Sequence, residues 1–145
     1  MPVDFLDALN VVSEPFGIEA MDVVDGKTAF FLASASELVV IEDGVDLTIL
    51  KRLDPEQTLR VADCAAACLR ANAQGAATGS ARIALHPEQG LVLAERFPLG
   101  EMDEDHLRER IGTYLLYAGY WAKEGLAELQ PQSSPVQASD NMLRV

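Results

Sequence analysis

Basic side chains are scarce in this sequence. Its 145 residues include 11 lysines and arginines against 23 aspartates and glutamates, so the formal net charge at pH 7 is −12. Phosphate backbones and anionic lipid headgroups are bound chiefly through Lys and Arg. We therefore expect neither a nucleic-acid partner nor a membrane partner.

Long hydrophobic runs are also missing. No stretch approaches the roughly 18 consecutive apolar residues of a membrane-spanning helix, and the N-terminus lacks the basic and apolar regions of a signal peptide. These absences predict a cytoplasmic protein. Hydrophobic residues still make up 49% of the chain, which is too many for a disordered acidic protein. A chain of this length can bury a sizeable core without disulfides or structural metals.

Reactive side chains are few. Cys64 and Cys68 are the only cysteines, and their spacing of four places both on one helix face, where a disulfide fits poorly. No nearby His or third Cys completes a metal site. A cysteine nucleophile would need a partner base, and the two histidines, His86 before a turn proline and His106 in the first turn of a helix, are at positions expected to be exposed. Phosphate-binding glycine motifs and calcium loops are absent. We predict no catalytic residues, no cofactor and no metal.

The first half of the chain predicts a helix followed by strands. Apolar positions recur at three-to-four spacing over residues 3–16, which indicates a short amphipathic helix. Three short apolar runs follow, at residues 21–24, 29–32 and 38–41. Asp25-Gly26 between the first two runs is a strong hairpin signal, so the runs predict a three-stranded antiparallel meander. Residues 47–53 fit neither period and are compatible with a connection or a fourth short strand.

The second half predicts a helix, a hairpin and a long helix. Asp54-Pro55-Glu56 is a typical helix start, and the helix should continue to about Asn72. Its centre is rich in small residues, which suits either packing on a sheet or contact with a symmetry mate. Strands at residues 81–86 and 91–97 flank a Pro87–Gly90 turn, and a long helix follows over about 102–129.

Residues 1–129 therefore form the predicted domain, and residues 130–145 a polar, flexible C-terminal tail. The tail closes with an apolar and basic cluster, Met142-Leu143-Arg144-Val145. This cluster is either a docking peptide or disordered.

The strands carry more apolar side chains than one sheet face requires. Phe30 and Phe31 are adjacent, as are Val39 and Val40, and neighbouring residues of a strand point to opposite faces. The few helices of the chain can cover one face. The other face is then a dimer interface or a groove for a partner, unless both faces are covered internally.

Four segments between Leu69 and Leu107 form a pattern, namely Leu69–Asn72, Pro87–Gly90, Arg96–Leu99 and Met102-Asp103. They correspond to a helix ending in a Leu-rich run with Asn, a hairpin turn of Pro-Glu-x-Gly, an Arg-x-Pro-Leu exit and an acidic start to the last helix. This pattern resembles the signature of the type III secretion chaperones of the Tir-chaperone class. In element order, size and acidity the resemblance covers the whole chain.

The resemblance implies a compact α+β homodimer, ordered helix–three strands–helix–two strands–helix, with helices packed on a twisted antiparallel sheet. Such a protein binds the extended N-terminal segment of a secreted effector in the cytoplasm of a Gram-negative bacterium, keeps it soluble and presents it to the export apparatus. The secretion ATPase and a regulator are further candidate partners. On matching positions, the implied effector contacts are Leu6, Leu9, Phe30, Phe31, Leu38 and Val40. The implied dimer contacts are Ala65, Cys68, Leu69, Ile83 and Leu85.

Three alternatives remain open from the sequence. The client could be a regulator of transcription instead of an effector. The same fold could serve a role outside secretion. An enzyme built on His86, His106 and the carboxylates is the third.

Overall fold

The computed structural model describes residues 3–16, 23–31, 37–43, 45–54, 59–74 and 77–129. Side chains of a few further positions inside these ranges, among them Phe30 and Phe31, lie outside the description. The elements in chain order are α1 (Phe5–Ser13), β1 (Lys27–Phe31), β2 (Glu37–Asp43), β3 (Asp46–Arg52), α2 (Val61–Gln74), β4 (Arg82–His86), β5 (Gly90–Phe97), α3 (Glu104–Ala122) and α4 (Glu124–Leu129). The predicted α+β class and element order are confirmed.

The five strands form one antiparallel sheet in the order β1-β2-β3-β5-β4. Strand β3 is the central strand of this sheet. The sequence pattern of residues 47–53 is compatible with either a connection or a short strand. Ile49 and Leu50 are adjacent and both buried, so this strand carries buried apolar side chains on both faces of the sheet. A strand of that kind shows no alternation between apolar and polar residues, so periodicity could not identify it.

The predicted meander is present, but its first strand is wrong. Asp25 and Gly26 have positive φ angles of 53° and 70°, which is the backbone of a two-residue hairpin turn. Val24 and Lys27 exchange both backbone hydrogen bonds at 3.0 Å across this turn, yet their pairing is an isolated bridge. The three strands therefore lie further along the chain than predicted. Residues 21 and 22 of the predicted strand lie outside the described residues.

The main core lies between one face of the sheet and the helices α1 and α3. Its largest fully buried side chains include Leu9, Leu38, Ile49, Phe97 and Tyr114. Burying each such side chain contributes roughly 1.5–3 kcal/mol. The Tyr114 hydroxyl donates a hydrogen bond of 2.7 Å to the Leu93 carbonyl oxygen, so this buried polar group is satisfied.

Two helix boundaries differ from the predictions. Helix α2 begins at Val61, and the Asp54 carboxylate accepts a hydrogen bond of 2.7 Å from the Leu59 amide before it; residues 55–58 lie outside the description. The predicted last helix is divided at Lys123 into α3 and α4. Gly125 packs directly on the Trp121 ring, where a β-carbon would overlap the indole. The starts of α1 and α3 are capped by Asp4 and Asp103.

Candidate partner-binding surfaces

The face of the sheet opposite the main core carries a second aliphatic cluster, which we call the second face. It consists of buried Val39, Leu50 and Val92 with half-buried Ile41 and Ala94. The register pairs Val39 with Leu50 and Leu50 with Ala94, so these residues form a continuous row across three strands. Among the described residues, the cluster contains strand residues alone. The sheet is thus apolar on both faces, as the adjacent valines predicted.

The second face is concave. Lys27 Nζ lies 3.8 Å from Glu88 Oε2, although Lys27 belongs to the β1 edge and Glu88 to the turn between β4 and β5 at the opposite edge. These corners can approach only if the sheet curls toward the second face. The pair is exposed, and exposed ion pairs contribute about 0–1 kcal/mol. Val39, Leu50 and Val92 are buried on this face, so its accessible apolar side chains are those of Ile41 and Ala94.

A second set of exposed apolar residues, here called the α2–β4 surface, lies on helix α2 and strand β4. Leu69 is 69% exposed and Leu85 is 59% exposed, a large fraction for leucines. On α2, Ala62, Ala65 and Ala66 are exposed as well. Another backbone could approach this surface closely.

The two thiols of α2 lie on its inner side. Cys64 is buried and Cys68 is half-buried. Burial, together with the neighbouring Cys64, raises the pKa of Cys68 to about 11. Because the thiolate is the reactive form, Cys68 is a poor nucleophile near neutral pH.

Asn72 joins α2 to the edge of the sheet. Its side-chain nitrogen donates to the Ile83 carbonyl oxygen and its side-chain oxygen accepts from the Ile83 amide, both at 2.8 Å. The amide thereby occupies both outward backbone positions of Ile83. This edge of β4 cannot accept another strand at that residue.

The structure distributes the predicted effector contacts over core and surface. Leu6 is 66% exposed on α1. Leu9, Leu38 and Val40 are fully buried in the main core, since their strand and helix positions face inward, and in this conformation they offer no surface to a partner. The backbones of Phe30 and Phe31 pair with Leu38 and Glu37 in the sheet, and their side chains lie outside the described residues.

The predicted dimer contacts also differ in exposure. Ala65, Leu69 and Leu85 are exposed residues of the α2–β4 surface, and Cys68 is half-buried on the inner side of α2. Ile83 is buried beneath this surface. The sequence did not single out Ile41, Leu50, Val92 or Ala94 of the second face. The apolar runs that contain them were visible, but periodicity could not assign a face to each residue.

The histidines have structural surroundings. The Nδ1 atom of His86 accepts backbone hydrogen bonds from Glu88 and Gln89, both at 3.1 Å, so the imidazole closes the β4–β5 turn. His106 is exposed in the first turn of α3. Within the described ranges, no three His, Cys, Asp or Glu side chains are grouped so that they could hold a metal ion. Those ranges also contain no helix long and apolar enough to cross a membrane.

Two charged side chains lie under the sheet. Glu95 is 6% exposed and accepts a hydrogen bond from Arg110 of α3, whose guanidinium also stacks 5.1 Å above the Phe97 ring. Burial raises the pKa of Glu95, and the bond to Arg110 opposes that rise. Lys51 is also 6% exposed, and burial lowers its pKa from the ordinary value of 10.5. Neither group is exposed on the second face.

Comparison with known proteins gives one family and one fold. The profile of the Tir chaperone protein (CesT) family matches residues 31–143. No curated protein sequence is significantly similar to the chain. Three solved structures show the fold, each at low sequence identity.

A chain of the ExsC–ExsE complex has a TM-score of 0.63 at 11% identity, covering 91% of this chain and all of its own length. A chain of the HopA1–SchA chaperone–effector complex has a TM-score of 0.58 at 15% identity, covering 84% of this chain and 99% of its own. A chain of the complex between the Yersinia pestis type III secretion chaperone SycH and a stable fragment of YscM2 has a TM-score of 0.51 at 17% identity, covering 75% of this chain and 91% of its own.

Proposed function

The chain belongs to the Tir chaperone protein (CesT) family, and we propose that it is a type III secretion chaperone. It binds an extended segment near the N-terminus of a secreted effector, keeps the effector soluble and presents it to the export apparatus. The structurally similar chain from the HopA1–SchA chaperone–effector complex supports this role. The chain acts by binding, without catalysis, in the cytoplasm of a Gram-negative bacterium.

The observation that carries this proposal is the second face. A monomeric sheet that needs only one core leaves its other face polar, but this sheet places an aliphatic row across β2, β3 and β5. An extended segment can lie on the concave second face and add its apolar side chains at the accessible margin formed by Ile41 and Ala94. Exposed Leu6 on α1 offers a further apolar contact.

The chain acts as a homodimer through the α2–β4 surface. Leu69 and Leu85 are exposed there, as are alanines of α2, so two copies related by a twofold axis can bring helix α2 of each protomer into close contact. Burying these leucines removes apolar surface from water at about 25 cal/mol per Å². The Asn72 bonds keep α2 fixed against β4 and so give this surface a defined shape.

Capture of the client in the native bacterium tests the function. The tagged chain is purified, proteins bound to it are identified by mass spectrometry, and limited proteolysis maps the protected segment. We expect one secreted protein, protected near its N-terminus. Deleting the chaperone gene should lower the secreted amount of that protein at least tenfold, while export of an unrelated effector of the same apparatus stays unchanged.

Two results would contradict the proposal. A bound protein that is never exported, and that controls transcription, would replace effector delivery by sequestration of a regulator. Normal export of the bound protein in the deletion strain would separate the chain from secretion altogether.

A further inference from the structure

An apolar cleft lies on the side of α3 away from the sheet, between α3, α4 and the residues that precede β4. We call it the aromatic cleft. Its volume is about 500 Å³, and its walls include Leu116, Tyr117, Tyr120, Trp121 and Glu128. None of these lining residues belongs to either of the surfaces used in the proposed function. Leu116 is 76% exposed, so α3 presents a leucine to solvent in addition to the face that it buries under the sheet.

Hydrogen bonds fix the walls of the aromatic cleft. The Trp121 indole nitrogen donates to the Ala77 carbonyl oxygen at 2.7 Å, and the Tyr120 hydroxyl donates to a Glu128 carboxylate oxygen at 2.6 Å. The Tyr120 and Trp121 rings meet edge to face at 5.2 Å. The cleft is therefore a formed apolar site with one carboxylate on its rim.

We propose that residues 142–145 of the same chain, Met-Leu-Arg-Val, occupy the aromatic cleft. After Leu129 this is the one cluster in which bulky apolar side chains are grouped, since the intervening residues are chiefly Gln, Ser, Pro and other polar types. The apolar side chains of Met142 and Leu143 suit walls made of Leu, Tyr and Trp. Arg144 places a positive charge beside Glu128.

The connection allows this docking. Twelve residues separate Leu129 from Met142, and a random-coil chain of twelve residues has a root-mean-square span of about 20 Å. Its attachment point follows Glu128, which itself lines the cleft. A tethered segment of this kind meets its site at an effective concentration of about 1 mM, so even weak affinity gives substantial occupancy.

The only tryptophan of the chain reports on the cleft. In the full-length protein labelled with ¹⁵N, Trp121 gives a single indole N–H resonance. We expect Leu143→Asp to shift this resonance, because it removes the apolar contact, and Arg144→Glu to shift it in the same direction. Val136→Asp, a matched change in the polar part of the tail, should leave it unchanged. Leu116→Asp should abolish the further effect of Leu143→Asp.

Each other outcome overturns the proposal. Identical indole resonances in the wild type and Leu143→Asp would show that the segment does not occupy the cleft. The indole resonances of the wild type and Leu143→Asp could instead differ more at about 1 mM protein than at about 10 µM. That result would identify a second copy as the occupant, because docking within one chain does not depend on concentration. A shift equally large in Val136→Asp would mean that the whole tail acts without a specific contact.

Discussion

Asn72 and Ile83 are joined by two hydrogen bonds of 2.8 Å between one side-chain amide and one backbone residue. The asparagine copies the pairing that a neighbouring strand would make, so β4 is an edge strand whose outer side is occupied at Ile83. The same contact holds α2 at a fixed height beside the sheet. Edge protection and positioning of the proposed dimer helix thus depend on one residue.

Asn72→Ala should destabilise the fold. It leaves the amide and carbonyl of Ile83 without their partner in a half-buried position, which costs about 1–3 kcal/mol. Asn72→Asp should lower the free energy of unfolding by at least as much, because a carboxylate cannot donate a hydrogen bond to the Ile83 carbonyl oxygen. Urea unfolding followed by circular dichroism measures the change, and Asn10→Ala, an exposed asparagine on α1, is the control. Equal stability of Asn72→Ala and the wild type would show that the two hydrogen bonds between Asn72 and Ile83 do not stabilise the fold.

Replacing glycine by alanine should change the free energy of unfolding in opposite directions at Gly125 and at Gly112. A β-carbon at Gly125 would overlap the Trp121 ring and lie 2.9 Å from Cε2 of Tyr120, whereas one at Gly112 meets nothing within 4 Å. Gly125→Ala should lower the free energy of unfolding by about 1–3 kcal/mol. Gly112→Ala should raise it by up to about 1 kcal/mol, since alanine favours helix. Thermal unfolding of both variants checks the pair, and a neutral Gly125→Ala would contradict the tight α3–α4 contact.

Lys51 makes stability depend on pH in the alkaline range. Burial lowers its pKa from 10.5, so between the lowered and the ordinary value the unfolded chain binds more protons than the folded one. The free energy of unfolding should therefore rise with pH across that interval. Lys51→Met should raise it at pH 7 by about 1–2 kcal/mol, because no charge is then buried, and should flatten the alkaline rise.

The control for Lys51→Met is Lys27→Met, at an exposed lysine. Urea titrations at pH 7 and at several higher values compare both variants with wild type. If the free energy of unfolding rose more steeply with alkaline pH in Lys51→Met than in the wild type, the effect could not come from a buried ammonium group at Lys51.

Leu69→Asp should convert the proposed dimer to a monomer. Two chains of 15.7 kDa give a particle of about 31 kDa, and an aspartate at the centre of the α2–β4 surface brings two like charges together across a twofold axis. Analytical ultracentrifugation at micromolar concentration measures the mass. Val45→Asp, at a 78% exposed valine on the β2–β3 turn, should remain dimeric. A monomeric wild type would refute this interface.

The sequence predicted the second half of the chain better than the first. The Pro87–Gly90 turn indicates where the first strand of the hairpin ends and where the second begins. Strands β4 and β5 therefore lie close to the ranges predicted from the alternation of apolar and polar residues. In the first half, the Asp25-Gly26 turn was correct, but the strand expected before it is an isolated bridge. A turn signal fixes the turn, whereas strand extent depends on partners elsewhere in the sheet.

The sequence also could not decide which residues of the candidate site lie on which face of the sheet. Adjacent apolar residues such as Val39 and Val40 indicate that both faces of a strand are apolar, but a shift of one residue exchanges the faces. The structure assigns Val40 to the main core and Val39 to the second face. The division of the last helix at Lys123 was also hidden, because it depends on how Gly125 packs against Trp121.

The affinity of the captured effector segment for Ile41→Asp tests the central claim most directly. Ile41 lies at the accessible margin of the second face, so an aspartate there should weaken binding at least tenfold in isothermal titration, which corresponds to about 1.4 kcal/mol. Val45→Asp, outside that face, should bind as the wild type does, and both variants should keep the mass of the wild type. Unchanged affinity in Ile41→Asp, or an equal loss in Val45→Asp, would contradict binding on the second face.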